Sequence, residues 1–223
     1  MTAHLFAVKA PPSLGALPAS GWLEKVGEPK RTGILRQRNA QAAATRLCAE
    51  ILLQYALYSA YGVKPFSLAQ ACTPQGKPFF TDPAAPHFSL SHSDAMAFCA
   101  VHHAPVGADV EHIRPVAPGL ARRIMSDSEF EVFDRSHDKD GFFFKIWTLK
   151  ESYLKQTGHG IAYDLKSLSF SISEKQNVSF NRPHYVFKLY DLPGGYQACA
   201  CVEKGTLPGH VACLDFHALM DFF

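Results

Sequence analysis

Three carboxylates and one ammonium near the middle of the chain have the types and spacing to grip a hard cation and a phosphate. Asp109 and Glu111 stand two residues apart in Val106-Gly107-Ala108-Asp109-Val110-Glu111, a short apolar run that reads as a strand. Side chains two apart on a strand share a face, so the two acids project side by side. Trp147, Glu151 and Lys155 recur at four-residue spacing within Phe142 to Thr157, which reads as a helix, so they stack along one ridge. If that ridge faces the strand, three acids converge beside one ammonium. Hard oxygen ligands of this kind suit Mg²⁺, which keeps several waters and commonly holds substrate phosphates. The residues also admit plainer readings. Glu151 and Lys155 make an ordinary exposed i,i+4 pair contributing roughly 0.2–0.5 kcal/mol, Asp109 and Glu111 mark a strand end at the solvent edge, and Trp147 is core. Two like charges on one strand face nevertheless repel unless a cation sits between them.

The elements that must position these groups come from patterning. From Glu24 to Arg46 the chain carries Lys25, Lys30, Arg31, Arg36, Arg38 and Arg46 against only Glu24 and Glu28. This basic run feeds a long helix, Arg38 to Tyr61, whose stripe Ala44, Leu47, Ile51, Tyr55 and Tyr58 is the expected buried side. A solvated face accounts for such a run; so does an anion site, because a helix N-terminus presents free N–H groups. Leu5 to Val8 reads as a strand followed by a loop to residue 29, and Gln75-Gly76-Lys77-Pro78 as a turn. Ser91-His92-Ser93 reads as a polar turn between the strands His87 to Leu90 and Ala95 to Val101, either self-satisfied or a donor cluster for phosphate oxygens. Ser126-Asp127-Ser128-Glu129 is a capping box opening a helix Glu129 to Arg135. Gly158 and Gly160 close the ridge helix. Strands are expected at Leu168 to Ile172, Val178 to Phe180, Tyr185 to Tyr190, Tyr196 to Val202 and His210 to Phe216.

The pattern predicts an α+β chain of two similar halves, residues 1–105 and 106–223, each a helix packed on a mainly antiparallel sheet. With 223 residues, 47% hydrophobic, and a net charge of +2, the composition fits neither a nucleic-acid-binding tail nor an acidic solvating chain. No signal peptide opens the sequence, and the best apolar stretch, Leu47 to Val63, is interrupted by Glu50 and Gln54, so no membrane span is expected. The six cysteines lack CxxC spacing and read as reduced thiols of a cytoplasmic protein.

With these residues in place the chain resembles the 4′-phosphopantetheinyl transferases of the large, surfactin-synthetase-activating type. The family's signatures occur in order: the basic loop and Arg-bearing helix, Gly76-Lys77-Pro78, Phe88-Ser89-Leu90-Ser91-His92-Ser93, Gly107-Ala108-Asp109-Val110-Glu111, and Trp147-Thr148-Leu149-Lys150-Glu151-Ser152-Tyr153-Leu154-Lys155. Ser89 stands where the family commonly has Asn, and Ala108 where it has Ile or Val. The resemblance implies a cytoplasmic monomer of two pseudo-twofold halves with coenzyme A in the cleft between them. It implies transfer of the phosphopantetheine arm to a serine of an apo acyl, peptidyl or aryl carrier protein, releasing adenosine 3′,5′-bisphosphate. On this likeness Asp109, Glu111 and Glu151 hold Mg²⁺, with Asp109 also beside the coenzyme. Lys155 meets the α-phosphate, and Ser91 and His92 donate to phosphate oxygens. Lys30, Arg31 and Arg46 hold the 3′-phosphate, and Gly76, Lys77 and Pro78 border the adenine. The serine's proton passes to Glu151 or to a water on the metal, two routes the residues leave open. Two other readings use the same residues: a module that binds coenzyme A or a nucleotide without reacting it, and a metal-dependent phosphohydrolase.

Overall fold

A computed structural model describes residues 1–16, 21–28, 30–160 and 163–222. The chain opens with strand β1 (His4–Lys9), a 3₁₀ turn at Leu14–Ala16, and two short helices, α1 (Trp22–Lys25) and α2 (Lys30–Leu35). The long helix α3 (Ala40–Tyr61) follows, then the hairpin β2 (Gln70–Cys72) and β3 (Pro78–Phe80), and the strands β4 (His87–Ser93) and β5 (Met96–His102). The order then recurs. Strand β6 (Val106–His112) is followed by helices α4 (Leu120–Ile124), α5 (Asp127–Arg135) and α6 (Lys139–Thr157). The hairpin β7 (Phe170–Ile172) and β8 (Val178–Phe180) comes next, then β9 (Val186–Leu192) and β10 (Tyr196–Val202). Strand β11 (Ala212–Leu214) and helix α7 (Phe216–Asp221) come after both rounds. The expected α+β class is borne out.

The first sheet has the order β11-β1-β5-β4 and the second β6-β10-β9. Every named pairing is antiparallel except β1 with β11, which is parallel. Period-2 burial divides the strands between three cores. Leu5, Ala7, Phe98 and Ala100 face Val106, Ala108, Val110, Ala198 and Ala200, so the two sheets pack face to face. The opposite faces receive the helices: α3 lies over Phe6, Val8, Cys99 and Val101, and α6 lies over Cys199 with Leu168 and Phe170. Helix, sheet, sheet and helix thus form four layers.

Asn39 caps α3 by accepting from the Ala42 amide at 3.0 Å, and Asp138 caps α6 by accepting from Gly141 at 2.9 Å. Gly62 and Gly158, both left-handed, close the two helices. The ridge helix therefore starts at Lys139, a turn earlier than Phe142.

Several local expectations are corrected. Tyr58 is 47% exposed, and α3 instead buries Ala43, Cys48, Leu52, Leu53 and Ala56 as well, because both β1 and the α7 region cover it. Ser91-His92-Ser93 is no turn: β4 runs through it, and the reversal falls on Asp94, whose φ of 45° is left-handed. The capping box opens its helix at Asp127. Of the expected strand His210 to Phe216 only Ala212–Leu214 pairs, since Asp215 caps α7 through the amides of His217 and Ala218. The loop expected up to residue 29 contains α1 and the 3₁₀ turn, and its positions 17–20 and 29 lie outside the described residues.

Candidate active site

The close approach of α6 to β6 is set by a residue without a side chain. A methyl at Gly107 would lie 1.8 Å from the Ser152 carbonyl oxygen and 2.5 Å from the Gln156 nitrogen. Only glycine lets the helix backbone settle here, and the ridge positions Glu151 and Lys155 reach the acidic strand face as a result. Lys155 Nζ donates to Asp109 Oδ1 at 2.6 Å and to Ser91 Oγ at 2.8 Å. Ser91 Oγ in turn donates to Asp109 Oδ1 at 2.7 Å. Asp109 is 4% exposed, and its second oxygen, Oδ2, is buried without a hydrogen-bond partner among the described residues. One residue pair further along, Ser93 Oγ donates to Glu111 Oε2 at 2.7 Å, and Arg114 Nη1 donates to the same oxygen at 3.3 Å.

Of these groups Ser91, Asp109, Glu111 and Lys155 line one cavity of about 340 Å³, together with Leu90, His92, Trp147 and Glu151. The strand and the ridge, far apart in sequence, do meet. Burial, and after it the negative charge of Asp109, lifts the Glu151 carboxyl to about 7, with Lys155 pulling the other way. Burial likewise raises Asp109, opposed by Lys155 and Ser91. His92 is held below its ordinary value by burial first and then by the cations Arg46 and Lys155.

A second cavity of about 260 Å³ shares Leu90, Glu151 and Lys155 with the first. It is bordered by Gln75, Gly76, Lys77 and Pro78, by Phe88 and Ser89, and by Gly158 and Gly160 beyond the end of α6. Lys77 reaches across to donate to the Gln156 carbonyl at 2.9 Å, so its ammonium holds the C-terminal turn of α6, where the helix dipole favours a cation. Lys30 and Arg31 stand apart from the acids. Lys30 donates to Glu50 at 2.7 Å and to Gln70, in a third cavity that meets the second at Pro78. Arg31 pairs with Glu28 at 2.8 Å on the surface. Arg46 stands near enough to His92 to depress its titration.

Sequence reasoning missed three contributors. Lys150, read only as a letter of the helix motif, is a fully buried ammonium that donates to Glu129 Oε2 at 2.6 Å and to the carbonyls of Ile124 and Leu165. Ser93 reaches Glu111, as described above. Ser89 Oγ accepts from the Ala108 amide at 3.0 Å, so the two positions that depart from the family pattern touch each other. The alternation Ser89, Ser91, Ser93 was the available signal, since three hydroxyls at period 2 define one face of a strand.

The donor set fits a hard divalent cation: carboxylates of β6 and α6 line one cavity, and one of their oxygens is buried and unpartnered among the described residues. Among the described residues no three His, Cys, Asp or Glu side chains are already drawn tightly enough to enclose an ion, and Lys155 neutralises Asp109 in this arrangement.

Residues 105–212 match the 4′-phosphopantetheinyl transferase superfamily. The chain is 30% identical to the 4′-phosphopantetheinyl transferase psf-1 of Bacillus pumilus, over 83% of this chain and 82% of that protein. It is 27% identical to the 4′-phosphopantetheinyl transferase Sfp of Bacillus subtilis, over 86% of this chain and 88% of that protein. With the 4′-phosphopantetheinyl transferase HetI of a Nostoc species it shares 39% identity over 45% of this chain and 46% of that protein. Likeness of that extent, over a fold that brings Asp109, Glu111, Glu151 and Lys155 to one cavity, places the chain in the 4′-phosphopantetheinyl transferase family.

Proposed function

We propose that this enzyme transfers the phosphopantetheine arm of coenzyme A to a serine of an apo carrier protein and releases adenosine 3′,5′-bisphosphate. The observation that carries the reading is the shared cavity of Ser91, His92, Asp109, Glu111, Glu151 and Lys155, continuous with the one bordered by Gly76 to Pro78. Phosphoryl transfer asks a protein mainly to position its reactants and to balance spreading negative charge. Lys155 supplies a cation to the α-phosphate, and Ser91 and His92 donate to the phosphate oxygens. The serine's proton would pass to Glu151, which lines the same cavity, or to a water on the metal. Asp109, Glu111 and Glu151 would hold Mg²⁺, which when bound supplies positive charge to the pyrophosphate.

The first half, residues 1–105, contributes Lys30, Arg31 and Arg46 for the 3′-phosphate and Gly76, Lys77 and Pro78 around the adenine. The second half, residues 106–223, contributes the acids and Lys155. The partners on this reading are carrier proteins of fatty-acid, polyketide or nonribosomal-peptide synthesis, met by a monomer in the cytoplasm. No helix among the described residues is long and apolar enough to cross a membrane.

Incubation with coenzyme A, magnesium and an apo carrier, followed by mass spectrometry, tests the reading. A carrier heavier by one phosphopantetheine is the expected product. An unmodified carrier with hydrolysed coenzyme A would assign a phosphohydrolase instead, and an unmodified carrier with intact coenzyme A a binding module.

A further inference from the structure

We propose that Ser93 is a positioning residue that holds Glu111 so that its free oxygen faces the cation. The inference rests on the reading that Asp109, Glu111 and Glu151 bind a divalent metal. Three serines alternate along β4, and each reaches β6 at a successive point: Ser89 at the Ala108 backbone, Ser91 at Asp109, Ser93 at Glu111. In both acids the β4 hydroxyl engages one carboxylate oxygen. At Asp109 this leaves Oδ2 buried and unpartnered, and at Glu111 both donors converge on Oε2, leaving Oε1 for the cavity that Glu111 lines.

Ser93 is itself fixed from two sides. Its oxygen accepts from the His112 amide at 3.2 Å, the residue next to Glu111. The following residue, Asp94, accepts from the His112 ring at 2.6 Å, so the β4–β5 reversal is tied to the end of β6. A hydroxyl held this way restricts the rotamers of Glu111 before any cation arrives. Partners that orient a metal's ligands in this fashion alter affinity by roughly 10–100-fold when removed.

The test is Mn²⁺ binding to the whole protein, followed by electron paramagnetic resonance with coenzyme A present. Ser93→Ala should weaken Mn²⁺ by about tenfold. The magnesium concentration needed for half-maximal rate should rise alongside it, while kcat at saturating magnesium stays near wild type. Ser93→Thr, which keeps the hydroxyl, should restore the affinity. Equal Mn²⁺ affinity in wild type and Ser93→Ala would overturn the role of Ser93. No Mn²⁺ binding by wild type would overturn the metal reading itself, a distinct result. If Ser93→Ala does not fold, Ser93→Cys decides, since it keeps the shape with a poorer donor. Wild-type affinity in that variant would overturn the proposal.

Discussion

The two rounds of the fold place quite different side chains at matching points. Cys99 of β5 pairs with Phe6, and Cys199 of β10 pairs with Asp109. Two residues earlier in those central strands, Ala97 pairs with Val8 and Gln197 with Glu111. Counted back from the glycines that close the helices, Tyr55 of α3 occupies the place of Glu151 in α6. In the first round the spot is filled by rings, Phe6 and Tyr55 meeting edge to face at 5.6 Å. In the second it holds two carboxylates and a lysine around a cavity. One scaffold therefore encloses packed rings in one round and a charged cavity in the other. The second copy carries a cost: buried acids whose charge is disfavoured.

The largest effect expected from probing this contrast is on catalysis. Glu151→Gln should lower transfer by about a thousandfold, as loss of a central electrostatic group does, while Tyr55→Phe at the matching position leaves the rate within about twofold. A carrier-labelling time course reads both, and a normal rate in Glu151→Gln would remove that residue from the mechanism.

Stability separates the next pair of matching positions. Lys150 of α6 and Gln54 of α3 each bond to the segment that follows their helix in sequence. Gln54 Oε1 accepts from the Phe66 amide at 2.7 Å, and Lys150 donates to the Leu165 carbonyl at 2.9 Å while paired with Glu129. Lys150→Met leaves Glu129 as a buried uncompensated charge and should lose about 3–5 kcal/mol. Gln54→Leu removes one hydrogen bond to the half-buried Phe66 amide and should lose about 1 kcal/mol. Urea unfolding measures both, and equal losses would break the distinction between a neutral and an ionic anchor.

The smallest expected effect is a pH-dependent shift in melting temperature. The Glu151 carboxyl rises from 4.5 in the unfolded chain to about 7 in the fold. The native state therefore binds more protons across that window, and stability falls as pH rises through it. Glu151→Gln removes this loss. Without added metal, the variant should melt above wild type at about pH 8, and the gap should close by about pH 4. A gap that does not vary with pH would show that the carboxyl titrates normally.

Much of the site could be read from residue spacing, because period 2 on a strand and period 4 on a helix fix which side chains share a face. Asp109 with Glu111, and Glu151 with Lys155, are legible for that reason. What spacing does not carry is the partner across the fold. Glu129 reads as the far end of a capping box, which it is, yet it also neutralises Lys150 and accepts from the Phe170 amide. Gly107 reads as a motif letter until the Ser152 carbonyl appears above it. Spacing alone ends β4 at Leu90, because three polar residues in a row resemble a turn, whereas the hydroxyls of Ser91 and Ser93 reach the acids of β6 in the facing sheet. The short helices α1, α2, α4 and α7 span too few turns to show a period.

The parallel pairing of β1 with β11 has a consequence for how the protein is made. Of the strands in the first sheet β1 leaves the ribosome first and β11 last, so one edge of β1 stays open through most of translation. An open edge is a template for unwanted pairing with other nascent chains. The N-terminal core, which also takes Leu219 and Met220 from α7, can close only after the second half has been synthesised. Slow elongation through the second half would therefore lengthen the interval in which chaperones have to guard the first.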